Sequence, residues 1–349
     1  MADDTKPGLS SVLHSVEVAL GAGADTRQGR DLAVFARLLL ESAGAEAIAG
    51  HDARMLAAFI KVAFDFIREK PGGRPAVRVR AADLPAGALM RRVATIQTLN
   101  DDMPFLVDSV MGEVQAMGLA SLLVVHPIFK TRRTAAGVLE AITGPGDRDW
   151  SDGHQESYIA VILDPLDEML AKELETTLPA VLAEVRAAVT DWRPMLARID
   201  DAIARLQQAE TGRPSPATVE ALTFCRWLRE GNFTFLGCRQ LARTAGAGPD
   251  LVPVPGSGLG VLRGDAPQRL GPTAFPASDG PVTFAKSPLP SRVHRRVAMD
   301  YVGITVARSD GSESRLEIVG LLASSAYTQS PREIPLLRLK VASVIARSG

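Results

Sequence analysis

Two short polar stretches contain the residues whose types and spacing suit chemistry. In the first, Asn100, Asp101, Asp102 and Met103 follow a short run with β-branched residues. The carboxylates of this polar turn suit the N-terminus of a following helix, where they would accept hydrogen bonds from free N–H groups. The alternative is an effector site, in which those N–H groups bind a ligand's carboxylate and an Asp binds its ammonium group. The sequence leaves both interpretations open and makes these four residues candidates for effector binding.

A basic cluster at residues 291–296 is the second candidate. Its residues Arg292, His294 and Arg295 suit an anionic effector or a neighbouring acidic domain, because arginine binds carboxylates through two parallel hydrogen bonds. The alternative is a solvated loop with scattered charge. These three residues are therefore also candidates for effector binding, with the second interpretation left open.

Motifs of catalysis and metal binding are absent from the sequence. The five histidines include no H-x-x-x-H pair, and the sequence has neither a G-x-S-x-G elbow nor a P-loop. Gly256, Gly258 and Gly260 give G-x-G-x-G, but Pro253 and Pro255 precede it and a strand-like run follows. That context favours a tight β turn over a dinucleotide site. The sequence predicts no catalytic residue, metal site or cofactor site in this chain.

The composition is typical of a globular protein of more than one domain. The chain has 349 residues, 46% hydrophobic and 23% charged, with a net charge of -1 and 5% aromatic residues. Such a balance argues against binding to nucleic acid or to an anionic membrane surface. The longest apolar run is far too short to cross a bilayer, and the acidic N-terminus is unlike a secretory signal. We therefore expect a cytoplasmic protein.

The polar turn is expected to connect a strand to a helix. Residues 93–99 are predicted as a strand, Pro104 suits the first helical turn, and the apolar spacing over 106–114 indicates a helix. A buried strand is predicted at 119–125. His126, at the end of that strand, is expected to be a hydrogen-bonded structural histidine. Together these elements predict a βαβ unit.

The rest of the chain divides into four predicted regions. These are a helical segment at 1–72, an α/β domain at 76–190, a helical linker at 191–230, and a β-rich domain with a terminal helix at 231–349. Strands mixed with helices that pack on a sheet predict an α+β fold.

Two further helix starts are predicted from capping residues. Asp164 with the following proline is expected to start a helix that runs towards Val189, with Pro179 as a kink or break. Residues 330–333, S-P-R-E, read as a capping box that opens the last helix through Ile345.

Several phrases from residue 90 onwards resemble the N-terminal region of the large bacterial NAD-specific glutamate dehydrogenases, in family order. The phrases are L-N-D-D-M-P-F-L-V-D-S-V (99–110), L-V-V-H-P-I-F (123–129), F-C-R-W-L-R-E-G-N-F-T-F-L-G-C-R (224–239), G-S-G-L-G-V-L-R (256–263), S-R-V-H-R-R-V-A-M-D-Y-V-G-I (291–304) and S-S-A-Y-T-Q-S-P-R-E-I-P-L-L-R-L-K-V (324–341). The resemblance implies two ACT-like, ferredoxin-like βαβ domains with antiparallel sheets, joined and preceded by helical segments.

The resemblance also implies a function for the chain. The parent enzyme would convert L-glutamate, NAD and water to 2-oxoglutarate, ammonium and NADH, with catalysis and NAD binding in a later domain. This chain would be its regulatory and oligomerisation part, inactive alone. Its partners would be the remainder of its own chain, identical subunits and an amino-acid effector. The alternative is a purely structural assembly module that binds no small molecule.

Two positions depart from the pattern of the family. Typical amino-acid-binding ACT domains have a glycine where this chain has Phe105, which is expected to fill the usual pocket and to leave Asp101 and Asp102 as helix caps. Cys238 stands where many relatives have tyrosine, and we interpret it as a change in packing.

Overall fold

The chain forms two compact units, residues 1–183 and 184–349. The computed structural model describes residues 9–21, 26–70, 72–208, 214–243, 251–264, 280–307 and 313–348. Each unit contains a six-stranded sheet whose pairings are antiparallel, together with helices. The α+β class with two antiparallel sheets, expected from the sequence, is therefore confirmed. Among the described helices, none combines the length and apolarity needed to cross a bilayer.

The first unit begins with helices and continues with strands. Its elements are α1 (Leu9–Leu20), α2 (Arg27–Ala43), α3 (Ala45–Ile48), α4 (Ala53–Ile67), β1 (Ala76–Ala86), β2 (Leu89–Asp101), α5 (Leu106–Ala116), β3 (Ser121–Val125), β4 (Ile128–Arg133), β5 (Leu139–Thr143), β6 (His154–Leu163) and the first part of α6 (Glu168–Thr190), whose last residues belong to the second unit. The strand order is β1-β2-β6-β4-β5, and β3 also pairs with β6.

The core of the first unit joins the N-terminal helices to the sheet. Apolar residues of α4 at spacings of three and four, among them Phe59 and Ile60, are buried with residues of α1 and α2. The Phe35 ring of α2 meets Phe129 and Tyr158 of the sheet edge-on, with centroids 5.8 Å and 5.6 Å away. The predicted helical segment thus packs directly on the first sheet.

The start of α6 differs from the prediction. Asp167, not Asp164, caps the helix, because Asp167 Oδ1 accepts a hydrogen bond from Leu170 N at 2.7 Å. Asp164 instead accepts a hydrogen bond from Arg91 Nη2 at 2.9 Å. The helix continues through Pro179, so it does not break there, and the alternative of a kink stays a prediction.

The second unit packs helices on a second sheet. Its elements are α7 (Trp192–Gln208), α8 (Pro216–Trp227), a wide turn (Leu228–Asn232), β7 (Phe233–Arg243), β8 (Leu251–Pro253), β9 (Leu259–Gly260), β10 (Val282–Pro290), β11 (Ala298–Ala307), β12 (Glu313–Leu322), α9 (Ser324–Thr328) and α10 (Leu337–Ser348). The strand order is β10-β11-β12-β7-β8, with β9 on β7. Buried residues of α7 and α8, such as Ile199 and Phe224, share one core with Val302 and Ile318.

The last helix begins later than the sequence predicts. The expected capping box at Ser330 does not form, and α10 starts at Leu337. Leu336 has a left-handed φ of 63°, and its N–H donates to Glu220 Oε1 at 2.8 Å. Arg338 holds the same carboxylate through two nitrogen atoms. The Glu220 side chain, on α8, therefore fixes the start of α10.

Candidate functional site

The predicted polar turn is the end of a strand. Asn100 and Asp101 are the last residues of β2 and pair with Ser157 and Glu156 of β6. The expectation that they break the strand is wrong, because the hydrogen-bond ladder to β6 extends the strand beyond the apolar run. The connection to α5 is therefore only Asp102 to Phe105.

Asp101 belongs to an ionic cluster whose other members are largely buried. Lys70 Nζ donates to Asp101 Oδ1 at 2.5 Å and to Glu156 Oε1 at 3.1 Å. Arg133 grips both oxygens of Glu156, with nitrogen–oxygen distances of 2.9 Å and 2.8 Å. The Lys70 and Glu156 side chains are 8% and 2% exposed. Reading the sequence missed this cluster, because its members come from distant segments and share no motif.

The first turn of α5 has a strained backbone. Phe105 is the N-cap residue, with φ 73° and ψ 0°, and its side chain makes no capping hydrogen bond. The helix begins at Leu106, so Pro104 precedes it, and the predicted caps Asp101 and Asp102 are wrong. A left-handed conformation costs about 1–2 kcal/mol for a residue other than glycine. Phe105 thus occupies the backbone conformation that glycine adopts freely.

A cleft of about 420 Å³ opens at this junction. Its wall consists of Asp102, Met103, Pro104, Phe105, Leu106, Val107, Asp108, His126 and Ile128. The half-buried Phe105 lies on this wall, and its expected filling of the usual amino-acid pocket stays a prediction. The main-chain N–H groups of Leu106 and Val107 donate to no residue that the structure describes.

His126 lies on one side of the cleft and is held there by hydrogen bonds. Its Nε2 lies 2.7 Å from Ser157 Oγ, and its main-chain N–H donates to Ser42 Oγ at 3.2 Å. Burial lowers the pKa of His126, and the negative charge of Asp102 opposes this shift. The ring is therefore neutral at neutral pH. The predicted hydrogen-bonded structural histidine is confirmed.

The chemistry available in the cleft is that of binding. Asp102 accepts a hydrogen bond from Gln155 Nε2 at 3.3 Å and otherwise faces the cleft with Asp108. Two carboxylates thus lie beside a helix N-terminus, which suits a ligand carrying both a positive and a negative group. Within the described residues, no group of three or more His, Cys, Asp or Glu could hold a metal ion.

The basic cluster lies in the second unit, on the connection between β10 and β11. Arg292 Nη1 lies 3.3 Å from Glu184 Oε1, and Arg295 Nη2 donates to Leu322 O at 2.6 Å. His294 has a left-handed φ of 65°. The two guanidinium groups therefore hold the connection in place, and binding of an effector by these residues stays a prediction.

The glycine-rich stretch forms a turn, as expected. Gly256 and Gly260 have left-handed φ values of 71° and 60°. Asp191 fixes this turn, because its Oδ2 accepts hydrogen bonds from Gly260 N at 2.7 Å and from Arg263 Nε at 2.6 Å. The predicted tight turn is confirmed.

Both cysteines are buried. Burial raises the thiol pKa of Cys225 and of Cys238 to about 12. The thiols are therefore protonated at neutral pH and unsuited to nucleophilic chemistry. Cys238 packs in the core of the second unit, consistent with a change in packing.

Comparison with known proteins identifies similar chains. The family model described as glutamate dehydrogenase, ACT1 domain, matches residues 35–178. The chain is 29% identical to the NAD-specific glutamate dehydrogenase of Halomonas elongata, over 97% of this chain and 22% of that protein. It is 32% identical to the NAD-specific glutamate dehydrogenase of Pseudomonas aeruginosa, over 79% of this chain and 18% of that protein. It is 28% identical to the NAD-specific glutamate dehydrogenase of Mycobacterium tuberculosis, over 80% of this chain and 17% of that protein. The chain thus spans about a fifth of the length of these curated relatives.

Proposed function

This chain contains a glutamate dehydrogenase ACT1 domain, and from this premise we propose that it is the non-catalytic regulatory part of an NAD-specific glutamate dehydrogenase. The whole protein would convert L-glutamate, NAD and water to 2-oxoglutarate, ammonium and NADH. Its catalytic residues and NAD site would lie outside this chain. The similarity to about a fifth of each relative supports this division.

The cleft beside Phe105 is the proposed effector site, and its proposed ligand is an amino acid. The observation that carries this assignment is the left-handed backbone of Phe105 next to an open cleft. Strained residues of this kind concentrate at ligand sites, where the surrounding fold maintains them. Asp102 would bind the ligand's ammonium group, and the N–H groups of Leu106 and Val107 would bind its carboxylate.

Binding would act through the strand end. Asp102 directly follows Asp101, which Lys70 holds next to Glu156. A ligand bound to Asp102 would favour one arrangement of the end of β2 at Asp101 and of Lys70, which follows α4. Any preference for one arrangement then biases the equilibrium of the larger protein.

Calorimetry of the full chain against the protein amino acids at millimolar concentration tests the effector site. At least one should bind, and Asp102→Asn should weaken binding about tenfold or more, because it removes the carboxylate. The matched control is Asp83→Asn, an exposed carboxylate on β1 that does not line the cleft. Flat traces for every amino acid, or equal binding by both variants, would exclude this effector site.

An assay with glutamate and NAD tests the assignment of catalysis. The purified chain should produce no NADH, since no catalytic residues were identified in its sequence. Turnover that survives further purification would contradict the non-catalytic assignment.

A second candidate function is assembly. Leu89 and Met90, at the tip of the hairpin formed by β1 and β2, are 76% and 61% exposed. Strand β1 is also an edge of its sheet, and an edge strand can pair with another chain. Light scattering should show that the wild-type chain is an oligomer. The double variant Leu89→Ser with Met90→Ser should dissociate this oligomer. The control Val18→Ser, at another exposed apolar site, should leave it intact. A monomeric wild type would rule out self-assembly of this chain.

A further inference from the structure

A cavity of about 260 Å³, lined by charged, polar and apolar residues, lies in the second unit between α7 and the ends of three strands. Helix α7 contributes Arg198, Asp201, Ala202 and Arg205, and the sheet contributes Gln240, Val306, Ser314 and Leu316. Gln240 and Leu316 are register partners on β7 and β12, so their side chains lie on the same face of the sheet. The cavity therefore has a defined floor and a helical wall.

Among the described residues that line this cavity, the charged side chains are two arginines and one aspartate. Arg205 Nε lies 2.9 Å from Asp201 Oδ2, so these two residues neutralise each other. Arg198 is half-buried and makes no hydrogen bond or ion pair with any residue that the structure describes. Burial raises the pKa of Cys238, and the nearby positive charge of Arg198 opposes that rise. Among the described residues that line the cavity, one positive charge thus has no bonded anion.

A guanidinium group that is partly removed from water needs an anionic or hydrogen-bonding partner to be favourable. Arginine presents a planar fork of donors that matches a carboxylate. The amide group of Gln240 can supply a further donor, and the apolar side chains of Val306 and Leu316 suit a short hydrocarbon portion. Sites for drug-sized ligands occupy about 300–1,000 Å³, and this cavity, of about 260 Å³, lies just below that range, so it suits a ligand smaller than a drug-sized molecule.

We propose that this cavity is a binding site for a small aliphatic carboxylate, which Arg198 binds through two hydrogen bonds with help from Gln240. The site lies in the second unit and is separate in its residues from the proposed effector cleft. It therefore goes beyond the function proposed above.

Thermal unfolding and calorimetry of the full chain test the site with propionate, succinate, inorganic phosphate and chloride at matched ionic strength. At least one carboxylate should bind and raise the unfolding temperature of the second unit more than chloride does. Arg198→Gln should weaken that binding about tenfold or more, because it removes a charged bidentate contact. Arg198→Lys keeps the positive charge but lacks the planar guanidinium group, so it should bind the carboxylate with an intermediate affinity.

The matched control is Arg193→Gln, an exposed arginine on the same helix that does not line the cavity. This variant should bind the carboxylate as the wild type does. Equal carboxylate binding by Arg198→Gln, binding of phosphate alone, or no carboxylate binding would each overturn the proposal. Circular dichroism would check that each variant is folded. Asp102→Asn, in the proposed effector cleft, should leave carboxylate binding by this cavity unchanged, so the two proposals can fail separately.

Discussion

The two units place their buried ion pairs in different surroundings. In the second unit, Arg239 on β7 and Glu317 on β12 are register partners, with Nε and Oε2 2.6 Å apart and exposed fractions of 3% and 4%. Tyr301 of β11 donates to the other oxygen of Glu317 at 2.9 Å. This triad lies across three neighbouring strands and is closed to solvent.

The ionic cluster of the first unit lies instead at the end of its sheet. Lys70 and Glu156 are buried there, but the Asp101 side chain is 47% exposed and the next residue lines the open cleft. A closed triad can only hold strands together, whereas a cluster with one exposed member can respond to a ligand. Under the function proposed above, the first sheet would combine stability with binding at this position.

The largest expected effect is the removal of Glu317 from the closed triad. Glu317→Leu should lower the free energy of unfolding of the second unit by about 3–5 kcal/mol, because it removes the buried carboxylate that Arg239 Nε contacts at 2.6 Å. The double variant with Arg239→Met should recover most of that loss. Urea denaturation measures both, with Glu313→Gln as the exposed control on the same strand. Equal stability of the single and double variants would contradict the role of the ion pair.

A smaller effect is expected for the first unit. Glu156→Gln should lower its free energy of unfolding by about 2 kcal/mol, because charge-assisted hydrogen bonds to Lys70 and Arg133 are weakened. The loss is smaller because Asp101 still accepts from Lys70. Urea denaturation compares this variant with Glu140→Gln, an exposed residue of β5. A loss as large as that of Glu317→Leu would remove the distinction between the clusters.

The strain at Phe105 predicts a still smaller difference. Phe105→Gly and Phe105→Ala both remove the ring, but only glycine adopts the left-handed conformation freely. The glycine variant should therefore be more stable than the alanine variant by about 1 kcal/mol. Denaturation curves of the two variants measure this difference, and an equal or lower stability for glycine would show that the backbone is not strained there.

The smallest effect is a local response of the second unit to pH. The side chain of Arg338 lowers the pKa of Glu220, with a further contribution from the Leu336 N–H and against the effect of burial. Because the folded pKa is depressed, the contact is fully present above the ordinary glutamate pKa of 4.5 and is lost as the pH falls through the lowered value.

Hydrogen exchange measures this pH response. The Leu336 amide, which donates to Glu220, should lose protection on acidification in the wild type. In Glu220→Gln the protection should be low and should not show this pH-dependent loss. Unchanged protection in the wild type across the acidic range would contradict the assignment.

Local periodicity predicted the regular parts of the fold. The spacing of Leu106, Val110 and Val114 predicted helix α5, and all three are buried. The run at 93–99 predicted the centre of β2. Both patterns work because they depend only on residues close in sequence.

The ends of elements were predicted less well. The sequence suggested caps at Asp101, Asp102 and Asp164, whereas the observed cap residues are Phe105 and Asp167. Capping propensity is shared by several acidic residues in each stretch. Which residue occupies the N-cap position depends on where the preceding strand stops, and for β2 that point depends on pairing with the distant β6.

The sequence by itself determined the α+β class, the buried positions of the main elements and the resemblance carried by the phrases around 99–110. Each of these depends on residue types and short spacings. Only the tertiary structure decided that Lys70 and Glu156 meet Asp101, and that Phe105 takes a left-handed conformation beside an open cleft. The physical reason is that both depend on contacts between segments far apart in the chain, which no local pattern encodes.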